Sequence, residues 1–357
     1  MTHFYPLTVT ALQRETRAAV VLSLQVPDAL RERFRFIQGQ HLSFRKTIDG
    51  EEIRRSYSIC SAVQDPVLQV AIKKVPGGVF SSWANEHLKV GEILDTLPPM
   101  GHFYTPLHPE QQKYYAGFAV GSGITPILSI LKTTLYTEPR SHFVLVYGNR
   151  TSAEIMFREQ LEDLKNRFLG RLSLVHILSR EQQDIALFNG RIDRAKCQAL
   201  LQYWLDVRAL DTVFVCGPPA MMQAVAETLQ EQGLDKQALK FELFGNAARS
   251  QRMHPARQSA ASEIARCELT VLLDGRARQL TLEKNQTNLL DAALQQGLEL
   301  PYACKSGICS TCRAMLVEGK VEMDNPFALT EEDITRGYIL CCQSFPLSDK
   351  LVVDFDQ

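Results

Sequence analysis

The chain has 357 residues, a length that at roughly 100–200 residues per domain implies two or three domains. With 22% charged and 45% hydrophobic residues and a formal net charge of −1, it is neither a disordered nor a collagen-like chain, nor a globally basic nucleic-acid binder. Nine cysteines are too few for a disulfide framework of this length, and an odd number leaves at least one unpaired.

Residues 1–17 have no basic start leading into a continuous apolar core, so no signal peptide is expected. The first hundred residues carry short alternating or β-branched runs at 19–24 and 67–72, separated by turn residues at 38–40, 48–50 and 76–78. Short strands of this kind predict a small β-barrel, with one helix at 81–89. From about residue 112 apolar runs at 118–120, 142–147, 172–178 and 212–216 alternate with helical stretches at 126–135, 152–168 and 219–232. That alternation predicts a parallel sheet with crossover helices.

Residues 114–131 contain no charge and approach the length of a membrane span. Their centre, Gly121-Ser122-Gly123-Ile124-Thr125-Pro126, breaks a continuous apolar helix, so a strand, a glycine loop and a helix are expected instead, with no membrane association and a cytoplasmic location. Residues 245–263 have little apolar periodicity and read as a linker. Beyond Cys267 the sequence predicts a hairpin about Leu273-Asp274-Gly275, a helix at 288–296 and a cysteine-rich loop. The expected boundaries are 1–106, 107–245, a linker at 246–265, and 266–357.

The strongest chemical signal is Cys304-x4-Cys309-x2-Cys312, followed after 29 intervening residues by Cys342. This is the spacing of plant-type [2Fe–2S] ligation, in which a tight loop supplies three thiolates and a returning strand the fourth. Gly307 and the small residues Ser306, Ser310 and Thr311 allow backbone N–H groups close to the sulfurs. A structural zinc site is the alternative, although zinc sites usually show two short paired spacings. Cys341 and Cys342 are adjacent, and neighbours on a strand face opposite ways, so only one of them can be the fourth ligand.

Arg55-Ser56-Tyr57-Ser58 puts a cation, an aromatic ring and a hydroxyl into one short strand. Alternation places Arg55 and Tyr57 on one face. The set suits a flavin; alone it also fits an ordinary half-exposed strand. Gly77-Gly78-Val79-Phe80-Ser81-Ser82 leads into a helix and suits an anion, with Ser81 equally readable as an N-cap. In Gly121-Ser122-Gly123-Ile124-Thr125-Pro126 the glycines permit close approach to a pyrophosphate, while Pro126 replaces the third glycine of the usual dinucleotide fingerprint and fits a first helical turn. A βα turn with no ligand is the alternative. Val215-Cys216-Gly217-Pro218-Pro219 ends an apolar run where open α/β sheets bind ligands. A lone cysteine there can also be a small buried residue.

Taken in order, R-x-Y-S, G-G-x-x-S, G-S-G-I-T-P, C-G-P and C-x4-C-x2-C resemble the ferredoxin–NADP reductase superfamily with a plant-type ferredoxin fused at the C-terminus. The resemblance spans essentially the whole chain. The segments RFIQGQHL, GEEIRRSYSIC, VYGNRTS, LPYACKSGICSTC and LVVDFD are similar to the reductase-subunit family of bacterial phenylacetyl-CoA 1,2-epoxidases. The resemblance implies an antiparallel FAD-binding β-barrel, a parallel α/β nucleotide-binding domain and a C-terminal β-grasp [2Fe–2S] ferredoxin domain.

It further implies FAD contacts from Arg55, Tyr57 and Ser58, with Gly78 and Ser81 near the pyrophosphate. Gly121, Gly123 and Thr125 would hold the dinucleotide, and Cys216 and Gly217 would lie near the nicotinamide, Ser58 and Cys216 being the residues at the reacting centre. Glu242 and Phe244 match the segment that ends the nucleotide domain, with Phe244 toward the flavin. The fourth cluster ligand in that family precedes Gln-Ser or Gln-Ala, which implies Cys342.

Cofactor choice follows from charge, because a 2′-phosphate needs cations where a ribose hydroxyl is usually held by an acid. One strand ends in Tyr147-Gly148-Asn149-Arg150, without an acid, and the next in Ser179-Arg180-Glu181. Ser179-Arg180 resembles the phosphate clamp of plant ferredoxin–NADP reductases, so NADPH is expected in preference to NADH; solvated loop arginines are the alternative.

The expected function is an electron relay from NADPH through FAD and the [2Fe–2S] cluster to a diiron oxygenase complex, the one acting on phenylacetyl-CoA. A ring-hydroxylating or other oxygenase, or a deoxysugar dehydrase, would use the same motifs, and a non-catalytic iron–sulfur carrier would lack the flavin and nucleotide set. Residues 266–357 hold 14 acidic and 9 basic residues, net −5, which leaves +4 for residues 1–265. An acidic cluster-bearing end favours a basic docking surface on the oxygenase, although ordinary solubility charge accounts for it equally.

Overall fold

A computed structural model describes residues 3–244, 266–284 and 286–357. The expected linker at 246–265 lies outside the described residues. The chain forms two compact units, one of residues 5–53 and 57–244, the other of the C-terminal residues with 54–56 and the N-terminal residues before 5.

The first unit opens with β1 (Tyr5–Thr16), β2 (Ala19–Gln25), β3 (His41–Ile48), β4 (Glu51–Ser58), β5 (Leu68–Lys73), α1 (Val79–Glu86) and β6 (Ile93–Thr96). The strands form one sheet in the order β4-β3-β6-β1-β2-β5, antiparallel in its β1–β2, β1–β6, β2–β5 and β3–β6 pairs. Its inward residues, including Leu7, Leu22, Leu42, Phe44, Ile72 and Leu94, are fully buried. The helix expected at 81–89 begins two residues earlier, at Val79, with Gly78 as its N-cap. Ser81 is therefore inside the first turn and is not the cap.

β7 (Tyr114–Val120), α2 (Ile124–Thr137), β8 (His142–Asn149), α3 (Arg158–Arg167), β9 (Leu172–Leu178), α4 (Arg194–Tyr203), β10 (Thr212–Gly217), α5 (Pro219–Glu231) and β11 (Leu239–Leu243) follow. The strands are all parallel, in the order β11-β10-β7-β8-β9. Alternate residues of β7 enter opposite cores: Tyr115 and Ala119 pack with α2 and α3, and Ala116 and Phe118 with α4 and α5. With both faces covered, the strands read as continuous apolar runs, which is why their sequence signal is strong.

The single helix expected at 152–168 is broken. Residues Ser152–Glu154 form a 3-10 turn, and Phe157 sits in the left-handed region at φ 60°, so α3 starts only at Arg158. The Phe157 N–H is taken up by the Glu15 carboxylate from β1, a partner 142 residues away. β11 was not foreseen; as an edge strand its run LKFEL carries charges that obscure it.

The second unit holds β12 (Arg266–Leu273), β13 (Arg276–Glu283), α6 (Leu289–Gln295), β14 (Arg313–Glu318), β15 (Val321–Met323), α7 (Glu331–Thr335), β16 (Tyr338–Leu340), β17 (Ser344–Pro346) and β18 (Lys350–Asp354). Its main sheet runs β13-β12-β18-β14-β16, with β12 and β18 parallel and the hairpin turn at Asp274-Gly275. α6 packs its Leu289, Leu290, Ala292 and Ala293 into the core, capped by the Asn288 side chain on the Asp291 N–H. This is a β-grasp with the cysteine loop between α6 and β14.

Candidate functional site

Strand order reverses between β7 and β10, since β7 connects through α2 to β8 on one side while β9 returns through α4 to β10 on the other. Ligands of open α/β sheets bind at the carboxyl ends on such a switch point. Gly121–Gly123 follows β7 there, and Gly217 ends β10. A Cβ on Gly123 would stand 2.2 Å from the Cys216 carbonyl oxygen and 3.2 Å from its Sγ. One on Gly217 would stand 2.4 Å from Met221 Cε and 3.1 Å from Val120 Cβ. Only glycine lets the two loops close on each other. Gly121 adopts φ 57°, and its carbonyl accepts the Tyr147 hydroxyl at 2.9 Å. The Thr125 hydroxyl donates to the Ser122 carbonyl at 3.0 Å, shaping the turn from within.

At this point the structure brings together residues from three strands. Ser58, the buried last residue of β4, donates its hydroxyl to Glu242 Oε2 at 3.0 Å. Glu242 lies beside Cys216 in the β10–β11 register. Burial pushes the Glu242 carboxyl up to about 8, partly offset by the Ser58 hydrogen bond. Burial, then the nearby Glu242, raises the Cys216 thiol well above its ordinary value. A buried hydroxyl, a half-buried carboxyl held above its ordinary range and a buried thiol raised likewise thus share one corner. Phe244, just past β11, packs half-buried against the core beneath.

Beside Ser58, the Tyr57 ring is backed by Phe80 at 5.6 Å and Phe44 at 6.3 Å, a rigid aromatic wall. Arg55 is exposed, and its guanidinium donates to the Arg54 carbonyl at 2.7 Å. In the turn before α1, the Ser81 hydroxyl accepts the Val75 N–H and donates to the Gly78 carbonyl, both at 3.2 Å. Gly77 there has φ 72°. Ser81 thus fixes the turn that leads into α1.

At the far strand ends, the Arg180 N–H bonds the Arg150 carbonyl at 2.8 Å and the Ser179 N–H the Asn149 carbonyl at 3.0 Å. Arg150, Ser179 and Arg180, all exposed, are therefore neighbours. Glu181, the acid that follows, accepts from Ser152 N at 2.7 Å and Ser152 Oγ at 3.0 Å. Lys73 was missed by sequence reading. Its Nζ is 3.6 Å from where a Gly121 Cβ would be, and 3.8 Å from Glu154. Burial lowers its pKa most, Glu154 opposes this, and Arg150 adds to the lowering. Only the fold brings a lysine from β5 beside that turn; the sequence carried no signal for it.

In the second unit Lys305, Gly307 and Ser310 all adopt positive φ, so the loop from Cys304 to Cys312 curls tightly. A Cβ on Gly307 would stand 1.9 Å from the Asn325 carbonyl oxygen. Cys304 Sγ accepts the Ser306 N–H at 3.4 Å, and Cys342 Sγ accepts Gln343 Nε2 at 3.5 Å. Among the described residues, no three His, Cys, Asp or Glu side chains gather in a way that would hold a single metal ion. The group that acts most on the Cys304 thiol is Cys309, and the one that acts most on Cys312 is Cys342. Cys309, against burial, lowers the Cys304 thiol to about 5. Cys341 is wholly buried; desolvation and then Cys342 push its thiol up. A two-iron cluster takes two thiolates on each iron, and three cysteines on a tight loop with Cys342 beyond it are a donor set that fits it.

Three family models match in order: an oxidoreductase FAD-binding domain over residues 6–104, an oxidoreductase NAD-binding domain over 118–227, and a 2Fe-2S iron-sulfur cluster binding domain over 271–347. That order defines an NAD(P)H-dependent flavin and iron–sulfur oxidoreductase, a ferredoxin–NADP reductase fold carrying its own ferredoxin. The chain is 43% identical over 356 residues to a subunit of the 1,2-phenylacetyl-CoA epoxidase of Escherichia coli K12, covering 100% of this chain and 99% of that one. It is 34% identical to the ferredoxin reductase component of 3-ketosteroid-9-alpha-monooxygenase from Rhodococcus rhodochrous, covering 98% and 96%. Phthalate dioxygenase reductase, a modular structure for electron transfer from pyridine nucleotides to [2Fe–2S], shares the fold with TM-score 0.60 at 20% identity, covering 99% and 98%. The chain belongs to the oxygenase-reductase family that includes this subunit of the phenylacetyl-CoA epoxidase. It transfers electrons from NAD(P)H through FAD to a [2Fe–2S] cluster, for delivery to an oxygenase partner.

Proposed function

We propose that this chain is the NADPH-dependent reductase component of a diiron oxygenase that epoxidises phenylacetyl-CoA. The full-length 43% identity to a component of that epoxidase carries the choice of partner. The bound groups supply the redox chemistry, two-electron hydride acceptance by FAD and one-electron steps at the cluster. The chain's own residues bind, orient and exclude water.

Tyr57 offers its ring to the isoalloxazine and Arg55 its charge to the FAD pyrophosphate, helped by the turn that Gly78 and Ser81 build. Ser58 would contact the flavin, and Cys216 and Gly217 would lie near the nicotinamide. Burial, against the Ser58 hydrogen bond, supports a proton reservoir there: Glu242 is held above the ordinary carboxylate range, which favours its neutral form at neutral pH. Gly121, Gly123 and Thr125 shape the pyrophosphate turn, with Lys73 beside it, and Phe244 closes the end of the nucleotide domain near the flavin. Cys304, Cys309, Cys312 and Cys342 hold the cluster.

NADPH preference rests on the pairing of Arg150 with Ser179 and Arg180, together with the engagement of Glu181 by Ser152. Replacing both arginines, as Arg150→Ala with Arg180→Ala, should raise the KM for NADPH about tenfold or more and leave that for NADH within about twofold. Equal losses for both nucleotides would contradict the assignment. The partner is tested by reconstitution with the phenylacetyl-CoA oxygenase components. Coupled epoxide formation supports it, whereas NADPH oxidation without product points to another oxygenase, a reading favoured by the 34% identity to the ketosteroid enzyme's reductase.

A further inference from the structure

Helix α2 is almost wholly buried, yet it carries a polar stripe: Ser129, Lys132, Thr133 and Thr137 share one face. All four are engaged by a single five-residue loop, residues 61–65. Ser129 Oγ donates to the Ser61 carbonyl at 2.7 Å. Thr133 Oγ1 accepts the Val63 N–H at 3.2 Å, and Thr137 Oγ1 accepts Gln64 Nε2 at 2.8 Å. Lys132 Nζ, on a side chain only 5% exposed, donates to Asp65 Oδ2, which also accepts the Ala62 N–H at 2.7 Å.

The placement of this seam matters more than its strength. Its loop starts three residues after Ser58, and its helix starts directly after Gly123. Apolar contacts also join these parts, since Cys60, Ala71 and Phe103 share a core with Ile127, Ile130 and Leu131. Such contacts are non-directional and tolerate sliding. Four polar contacts along two helical turns do not, because a shift breaks the buried Ser129 bond and leaves the buried Lys132 charge alone.

We propose that Lys132 and Asp65, with Ser129 and Thr133, are positioning residues that set the flavin-side strand against the nucleotide-side turn for hydride transfer. In that step the hydride and its two electrons pass from bound NADPH, which is oxidised, to FAD, which is reduced. A misplacement of about 1 Å can cost about a hundredfold in rate. The proposal rests on the reading that Ser58 faces the flavin and Gly121–Gly123 the dinucleotide.

Truncating either charge alone strands the other, so the test replaces both, as Lys132→Met with Asp65→Leu, in the FAD- and cluster-loaded full chain. The variant is expected to hold FAD, to bind NADPH within about twofold of wild type, and to show faster amide hydrogen exchange at residues 61–65. Its limiting rate of flavin reduction in stopped flow should fall about tenfold or more. A folded, FAD-loaded variant with an unchanged limiting rate overturns the proposal, as does a loss confined to NADPH affinity. Should that variant not fold, Ser129→Ala with Thr133→Val removes two seam hydrogen bonds and no charge. It should give the same pattern more weakly, and an unaltered rate there overturns the proposal too. If NADPH fails to reduce the wild-type flavin, the underlying functional reading fails instead.

Discussion

Glu242 holds its proton into neutral pH because burial penalises its charge, with only the Ser58 hydroxyl opposing that. A carboxyl whose folded pKa is raised, here to about 8, stabilises the fold below its ordinary value and loses that contribution as pH rises through 8. Glu242→Gln should therefore match wild type near pH 5 and gain on it up to pH 9, by an amount on the order of 2–4 kcal/mol. Paired thermal melts across that range test this; a gap independent of pH would show that Glu242 is ionised throughout. At the cluster loop Cys342 acts on Cys312 more than Cys341 does, which separates the two adjacent cysteines. Cys342→Ser should lose the iron and the visible cluster absorbance, while Cys341→Ser, a buried core change, should keep both. Retention of the full iron content by Cys342→Ser would reverse the assignment.

At the scale of elements, the glycine turn after β7 and the end of β10 are packed so closely that a single methyl is excluded. Gly123→Ala should cost about 1–3 kcal/mol and raise the NADPH KM, because the turn must retreat from the Cys216 carbonyl. Wild-type melting and KM in that variant would mean the two loops are not in contact. The buried parallel strands and the cysteine loop were legible in the sequence because burial on both faces and ligand spacing each leave a local pattern. The break before α3 was not, since Phe157 is held left-handed by Glu15, 142 residues away. Lys73 was hidden for the same reason: it belongs to β5 and meets Gly121 only once the sheets are packed. Ser81 and Thr125 were legible as turn residues, but their hydroxyls are spent on the turns themselves.

For the whole molecule, a net charge of −1 conceals an acidic C-terminal part, net −5 over residues 266–357, and a basic remainder. Among the described residues no helix is long and apolar enough to cross a membrane. The FAD- and NAD-binding family models fall on the unit of residues 5–53 and 57–244 and the 2Fe-2S model on the cysteine-loop unit, apart from residues 54–56, so the units divide hydride acceptance from single-electron passage. The most direct test of that relay is an anaerobic titration of the loaded protein with NADPH, followed by absorbance. FAD takes two electrons and the cluster one, so bleaching of both chromophores should be complete at about one and a half equivalents. Flavin bleaching that stops at about one equivalent, with the cluster still oxidised, would contradict the relay.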